Sequence, residues 1–158
     1  VETAYDILYR RYDLIKETFL TSARWRFATK KAAIAVDLTA PLNEWTYRHA
    51  MPTDLLMLIR IYNVGQWEVY EDWIYTNTSG IEVDYIYSSA EKDWPVYAEW
   101  ALVNEVAYQL ALSITNKLSI VDRLQVKARE TLNQAMFKDA QSRPATSIRQ
   151  KPFVQIRN

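Results

Sequence analysis

Few residues of this chain have the type and spacing that catalysis requires. The only histidine, His49, lies in an aromatic segment without a second histidine to complete a metal site or a catalytic dyad. Carboxylates lie close together in the sequence at Glu71-Asp72 and at Glu91 with Asp93. Such a pair hydrolyses a glycosidic bond only at a suitable separation, and charged turns and helix caps also explain these acids. We therefore predict that the protein is not an enzyme and has no cofactor or metal ligand, and we keep a glycan hydrolase as a minor alternative.

A basic and aromatic stretch is the second candidate for chemistry. It reads Arg24-Trp25-Arg26-Phe27-Ala28-Thr29-Lys30-Lys31 and follows a helical pattern. Trp25 and Phe27 would each bury on the order of 150–250 Å², so we expect them at a core corner where the helix turns into a strand. The cations Arg24, Arg26, Lys30 and Lys31 then face outward, as possible contacts to a neighbouring subunit or to DNA. A nucleic-acid-binding module built on this corner is the first alternative function.

Composition favours a structural or interaction role. The chain has 158 residues, 49% of them hydrophobic and 24% charged, with zero net charge, which fits one domain with a real core and gives no electrostatic reason for a nucleic-acid partner. It contains no cysteine and no apolar run of the ~18 residues that a membrane span needs, so we predict no membrane partner. Six Trp and eleven Tyr exceed the needs of a small core and favour subunit interfaces. Because the chain begins at Val1 rather than Met, we expect residues to be missing from its start.

Hydrophobic periodicity predicts three helices, over about 3–22, 94–115 and 119–140. Asp93 is predicted to cap the second helix, and Ser119-Ile120-Val121-Asp122 resembles a capping box for the third. The second helix carries a long apolar stripe, made of Val96, Trp100, Val103, Ala107, Leu110, Ala111 and Ile114.

Short alternating runs predict strands between the first two helices, in an insertion over about 31–88. The predicted runs include Leu55–Tyr62, Trp67–Tyr70, Trp73–Thr76 and Ile81–Tyr87. The predicted fold class is α+β, mainly α. It is an antiparallel helix bundle with a small inserted antiparallel β-sheet and an extended C-terminal arm.

The composition changes after residue 141. Residues 142–158 contain two prolines, four basic residues and no acidic residue, and they end in the apolar run Phe153-Val154-Gln155-Ile156. We predict a single domain over 1–141, followed by an arm over 142–158 that docks on a partner or on a neighbouring subunit by strand addition or groove binding. The candidate docking residues are Arg143, Arg149, Lys151, Phe153, Val154, Ile156 and Arg157.

An ordered series of motifs over roughly residues 5–135 resembles the tail tubular protein A family, the head-to-tail adaptors of short-tailed bacteriophages. A helix ends in Trp25-Arg26-Phe27-Ala28, and a stretch similar to the family's Trp-x-Tyr-x-x-Ala-x-Pro-x-Asp follows at Trp45–Asp54. Two short strands at 67–74 come next, then a strand at Ile81–Ile86, an acidic aromatic helix start at Asp93-Trp94 and an Ala/Leu helix to Thr115. The chain departs from the family at Glu71-Asp72, where Gly-Arg is usual, and its arm matches nothing in the family.

The resemblance implies a structural virion protein. Such subunits form a ring, usually a dodecamer, between the portal protein and the tail nozzle protein, and double-stranded DNA passes through the lumen during ejection. The implied location is the head-tail interface of the virion, after assembly in the host cytoplasm. The arm would then reach the portal protein or an adjacent subunit.

Overall fold

The computed structural model describes residues 3–41 and 44–142. Three helices and six strands follow one another along this part of the chain. Their bounds are α1 Ala4–Thr21, β1 Thr29–Ile34, β2 Tyr47–Ala50, β3 Leu55–Tyr62, β4 Trp67–Tyr70, β5 Trp73–Thr76, β6 Ile81–Tyr87, α2 Val96–Ile114 and α3 Leu118–Gln141, with a short 3-10 turn at Glu91–Asp93. The helices therefore lie within a few residues of the predicted positions.

The strands form two sheets, where the sequence predicted one small sheet. One sheet has the order β1-β6-β3 and the other β2-β5-β4, and every pairing is antiparallel. Helices hold 46% of the described residues and strands 25%, so the predicted mainly helical bundle is wrong. The prediction failed because β1 and β3 both pair with the distant β6, a non-local arrangement that alternation within each run does not reveal.

Two hydrophobic cores place the β1-β6-β3 sheet in the middle of the packing. Ile86 of β6 belongs to a core with residues of all three helices, whereas Ile81, Val83 and Tyr85 of the same strand pack with Ile74 of the second sheet. Successive side chains of a strand point to opposite faces, so β6 supplies apolar residues to both of its sides. The strands thus contribute a core of their own rather than an insertion on a bundle.

The Trp25 corner lies where the sequence predicted it. Trp25 is 0% exposed, stacks on Phe19 at 5.1 Å between ring centroids and donates its indole N–H to the Phe19 carbonyl at 3.0 Å. Phe27 contacts Trp25 and also Trp94, the residue that precedes α2 by two positions. The corner therefore joins the end of α1 to the first sheet and to the start of α2.

Asp139 fixes the same corner from the last turn of α3. Its buried carboxylate accepts the Arg26 backbone N–H at 2.8 Å and the Tyr97 hydroxyl at 3.0 Å. Burial, followed by the bond to Asp139 and the charge of that carboxylate, raises the pKa of Tyr97 to about 12. One acidic side chain thus ties α3, α2 and the loop after α1 together.

The N-terminal ends of α2 and α3 differ from the predicted ones. The residue at the N-cap of α2 is Pro95, because Asp93 lies in the preceding 3-10 turn. The N-cap of α3 is Lys117, without a side-chain cap, so Ser119 already lies inside the helix and forms no capping box. A complete capping box does exist at the start of α1, where Thr3 and Asp6 bond reciprocally. Of the predicted arm, only Ser142 falls within the described residues, as the cap that follows α3.

Candidate interaction surfaces

The four predicted basic contacts do not form one free patch. Lys30 and Lys31 are neighbours in β1 and therefore point to opposite faces of the sheet. The Lys30 ammonium lies 2.6 Å from Asp54, and the Lys31 ammonium lies 3.5 Å from Asp84. The hydrogen bond from Lys30 lowers the pKa of Asp54. Arg24 and Arg26 are exposed in the loop before β1. Two of the four predicted cations are therefore exposed in this loop, and the other two form ion pairs with acidic residues.

The carboxylates considered for catalysis are held in separate structural roles. Glu91 accepts a hydrogen bond from Tyr12 at 3.0 Å and pairs with Lys16 at 3.1 Å. Burial acts to raise the pKa of Glu91, but its backbone hydrogen bond and its bonds from Lys16 and Tyr12 outweigh burial and lower that pKa. Glu71 and Asp72 are exposed in the turn between β4 and β5, with Glu71 at a φ of 52°. Glu91 therefore fixes α1 to the 3-10 turn before α2, whereas Glu71 and Asp72 form the turn of the β4–β5 hairpin.

His49 is fully buried in β2. Its Nε2 lies 3.2 Å from the Thr78 carbonyl and 3.3 Å from the Thr76 hydroxyl, while its Nδ1 has no hydrogen-bond partner. No group of three or more His, Cys, Asp or Glu residues that could hold a metal ion occurs among residues 3–41 and 44–142. The surroundings of His49 therefore connect β2 to the loop after β5.

The apolar stripe of α2 is largely on the outside of the fold. Val96 is 79% exposed, Trp100 54% and Val103 55%. The side of α2 that is buried carries smaller residues, among them Ala98 and Ala101. The three exposed residues are spaced at i, i+4 and i+7, so they share one face of the helix, which we call the α2 face. Lys127 of α3 lies 5.6 Å from the Trp100 ring and forms the border of this face.

A second apolar surface lies on α1. Tyr5 and Tyr9 stack at 6.2 Å between ring centroids, and both are exposed. Further along the helix, Leu14 borders an apolar cavity of about 320 Å³ that α1 forms with Glu105 of α2 and Leu132 of α3. Tyr5, Tyr9 and Leu14 are all exposed, so the other helices do not cover this side of α1.

The third surface is the outer edge of the second sheet, formed by β4. All four residues of β4 are exposed, and three of them are the large apolar residues Trp67, Val69 and Tyr70. The fourth, Glu68, accepts a hydrogen bond from the indole of Trp45 at 3.1 Å. Hydrogen bonding to Glu68 and the charges of Glu68 and Glu44 raise the pKa of Tyr70. This edge is therefore aromatic and acidic at once.

Sequence reasoning named the excess of Trp and Tyr but did not identify Trp67, Tyr70 and Trp100 as exposed. Apart from Ser142, the predicted arm lies outside the described residues, so the geometry of its candidate docking residues is not part of the structure. The α2 face was visible as a stripe but not as an outward one. The signal for β4 was its uninterrupted run of large side chains in a hairpin, which a free edge strand normally avoids.

Comparison with known proteins does not assign this chain to a family. A scan against models of known protein families gave no match, and a search among curated proteins found none of significant similarity. Within the described part of the chain, none of the helices has both the length and the apolar character needed to cross a membrane.

Proposed function

We propose that this protein is the subunit of a structural head-to-tail adaptor, a ring that joins the portal of a short-tailed bacteriophage to its tail nozzle. The ordered motifs from the Trp25 corner to α2 suggest the family. The observation that carries the proposal is the α2 face, because three large apolar side chains along one helix face remain exposed in the single chain. Contiguous exposed apolar surface of this kind marks interaction sites.

Separate faces suit a ring. A closed ring of identical subunits uses heterologous contacts, in which one surface of a subunit meets a different surface of the next. The chain presents the α2 face, the α1 surface with Tyr5 and Tyr9, and the edge of β4, on three different elements. A single self-complementary patch would instead favour a dimer.

The electrostatics suit a passage for DNA better than a DNA-binding module. Net charge is zero, and each phosphate that a protein neutralises strengthens its hold on DNA. The nucleic-acid alternative gains no support from Lys30 and Lys31, whose ammonium groups already lie beside Asp54 and Asp84. A neutral body suits a channel through which DNA slides during ejection rather than being held.

The mass of the particle tests the proposal. The purified protein, alone and mixed with portal rings, is measured by native mass spectrometry. We expect rings of about twelve 18.6-kDa chains and a larger complex with the portal. Val103→Glu should abolish or strongly weaken ring formation, because it puts a charge in the α2 face. Gln134→Glu, an exposed change on α3, should leave the mass unchanged. A protein that stays monomeric and does not bind portal rings would refute the adaptor function.

A further inference from the structure

The edge of β4 is open to another strand. In the sheet order β2-β5-β4, β4 pairs with β5 on one side and, among the described residues, with no strand on the other. An unpaired edge presents backbone N–H and C=O groups to solvent, and proteins usually protect such edges with lysine, proline, bulges or a covering element. This edge carries Trp67, Val69 and Tyr70 instead. Exposed apolar side chains on an unpaired edge are expected where a further strand pairs with that edge.

The charge around this edge selects the kind of strand. Residues 63–80, which contain the hairpin of β4 and β5, include Glu68, Glu71 and Asp72 but no lysine or arginine. A covering strand with basic residues would be attracted, whereas an acidic one would be repelled. The arm 142–158 has the complementary composition, with four basic residues and no acidic residue.

The arm also has the complementary side-chain alternation. In an extended strand, Val154 and Ile156 share one face, while Phe153, Gln155 and Arg157 share the other. In β4, Trp67 and Val69 share one face, and Glu68 and Tyr70 the other. Pairing like faces places apolar residues together on the first side. It places an aromatic residue, an amide and a cation against Tyr70 and Glu68 on the second.

We propose that residues 153–156 of one copy add to β4 of a neighbouring copy as an antiparallel fourth strand. The register sets Phe153 opposite Tyr70, Val154 opposite Val69, Gln155 opposite Glu68, and Ile156 opposite Trp67. Arg157 then lies diagonally from Glu68, within reach of a long side chain. Pro152, which has no N–H to donate, falls opposite Glu71, beyond the last β4–β5 pair.

The proposed ring makes a neighbouring copy the acceptor in this inference. The arm begins at the end of α3, which packs on α2 and on the loop at Arg26. The β4–β5 hairpin packs on β2. A strand from the next subunit would link adjacent copies around a ring through backbone hydrogen bonds, in addition to the helical faces. This inference rests on the proposed ring, whose next subunit supplies the acceptor edge.

Disulfide trapping tests the pairing, since the chain contains no cysteine of its own. One chain carries Val69→Cys, and a second, distinguished by an affinity tag, carries Val154→Cys. After mixing and mild oxidation, we expect a covalent dimer of the two different chains, because opposite residues of antiparallel strands lie within disulfide range. The yield should decrease at high salt, since the attraction between arm and hairpin is screened.

In two further mixtures, the chain with Val69→Cys is combined with a chain that carries Gln155→Cys or Ile156→Cys instead of Val154→Cys. Gln155→Cys should give several-fold less covalent dimer with Val69→Cys, because its side chain lies on the opposite face in the proposed register. A Val69→Cys dimer that forms preferentially with Ile156→Cys would indicate either a shifted antiparallel register or parallel pairing, and would overturn the proposed pairing. A chain with both Val69→Cys and Val154→Cys that closes a disulfide within itself, without linking to other chains, would also overturn it.

The outcomes separate this inference from the adaptor function. Particles that keep the ring mass and bind the portal but give no mixed dimer would refute the strand pairing alone. Mixed dimers in a protein that does not bind portal rings would support the strand pairing and count against the adaptor function.

Discussion

Replacing Asp139 with alanine tests whether the Trp25 corner depends on a single buried carboxylate. The side chain is 4% exposed and accepts two hydrogen bonds, one from the Arg26 backbone N–H and one from the Tyr97 hydroxyl. Alanine would leave both donors without this acceptor in a mostly buried place. Since Arg26 directly follows Trp25, the loss would reach the aromatic stack with Phe19.

The magnitude follows from the two bonds. A hydrogen bond to a charged group contributes about 1.5–3 kcal/mol, and a buried donor left unpaired costs a similar amount. The two effects are not additive within one network, so we expect Asp139→Ala to lower the free energy of unfolding by about 3 kcal/mol. Tyr97→Phe removes only one donor and should cost about 1 kcal/mol.

Urea unfolding, followed by tryptophan fluorescence, measures both losses. Glu130→Ala, an exposed change on the same helix, is the control and should stay within about 0.5 kcal/mol of the unchanged protein. The double variant Asp139→Ala/Tyr97→Phe should lose less than the sum of the single losses, because both remove the same bond. A loss below about 1 kcal/mol for Asp139→Ala would refute the reasoning, since the two partly buried hydrogen bonds would then contribute less than a single ordinary one.

Two further predictions concern the core and the pH dependence of stability. Trp25→Ala should cost about 3–5 kcal/mol in urea unfolding, whereas Trp67→Ala, at a site that is 46% exposed, should cost clearly less; equal losses would contradict the assignment of the two surfaces. Burial and bonds to Glu91 and Asp139 raise the pKa values of Tyr12 and Tyr97 to about 12 in the fold, above the usual tyrosine pKa of about 10. Their contribution to stability is complete below pH 10 and is lost as the pH rises toward 12. Replacing Tyr12 or Tyr97, which are both partly buried, by phenylalanine should therefore reduce the loss of stability measured between pH 8 and 12. Replacing the exposed Tyr5 by phenylalanine should change that loss less, and an equal change would contradict the reasoning.

Local patterns predicted the elements better than their arrangement. The bounds of β4, β5 and β6 agree with the predicted runs, because alternation and turn residues act between neighbours in sequence. The partner of each strand depends on contacts across the chain. Thr29 of β1 meets Ile86 of β6, for example, and no feature of the β1 segment alone specifies that pairing.

The same distinction applies to the candidate surfaces. A period of 3.6 residues shows that Val96, Trp100 and Val103 share a face, but it does not show whether that face is inside. The answer depends on the other elements of the fold, since Ala98 and Ala101 of α2 pack in the core with residues of α1, β6 and α3. Burial is therefore a property of the whole fold, and the outward direction of the stripe required the structure.

The energetics of the α2 face bear on why a ring would be needed at all. Complete burial of an apolar side chain of this size contributes about 1.5–3 kcal/mol, so three such residues contribute up to about 4–9 kcal/mol to association. Loss of free movement on association costs about 4–15 kcal/mol, which is comparable. One such contact would therefore give weak pairs. A closed ring gives each subunit two interfaces, and a strand added at β4 would strengthen each of them, so assembly should be cooperative, with few intermediates between the monomer and the complete particle.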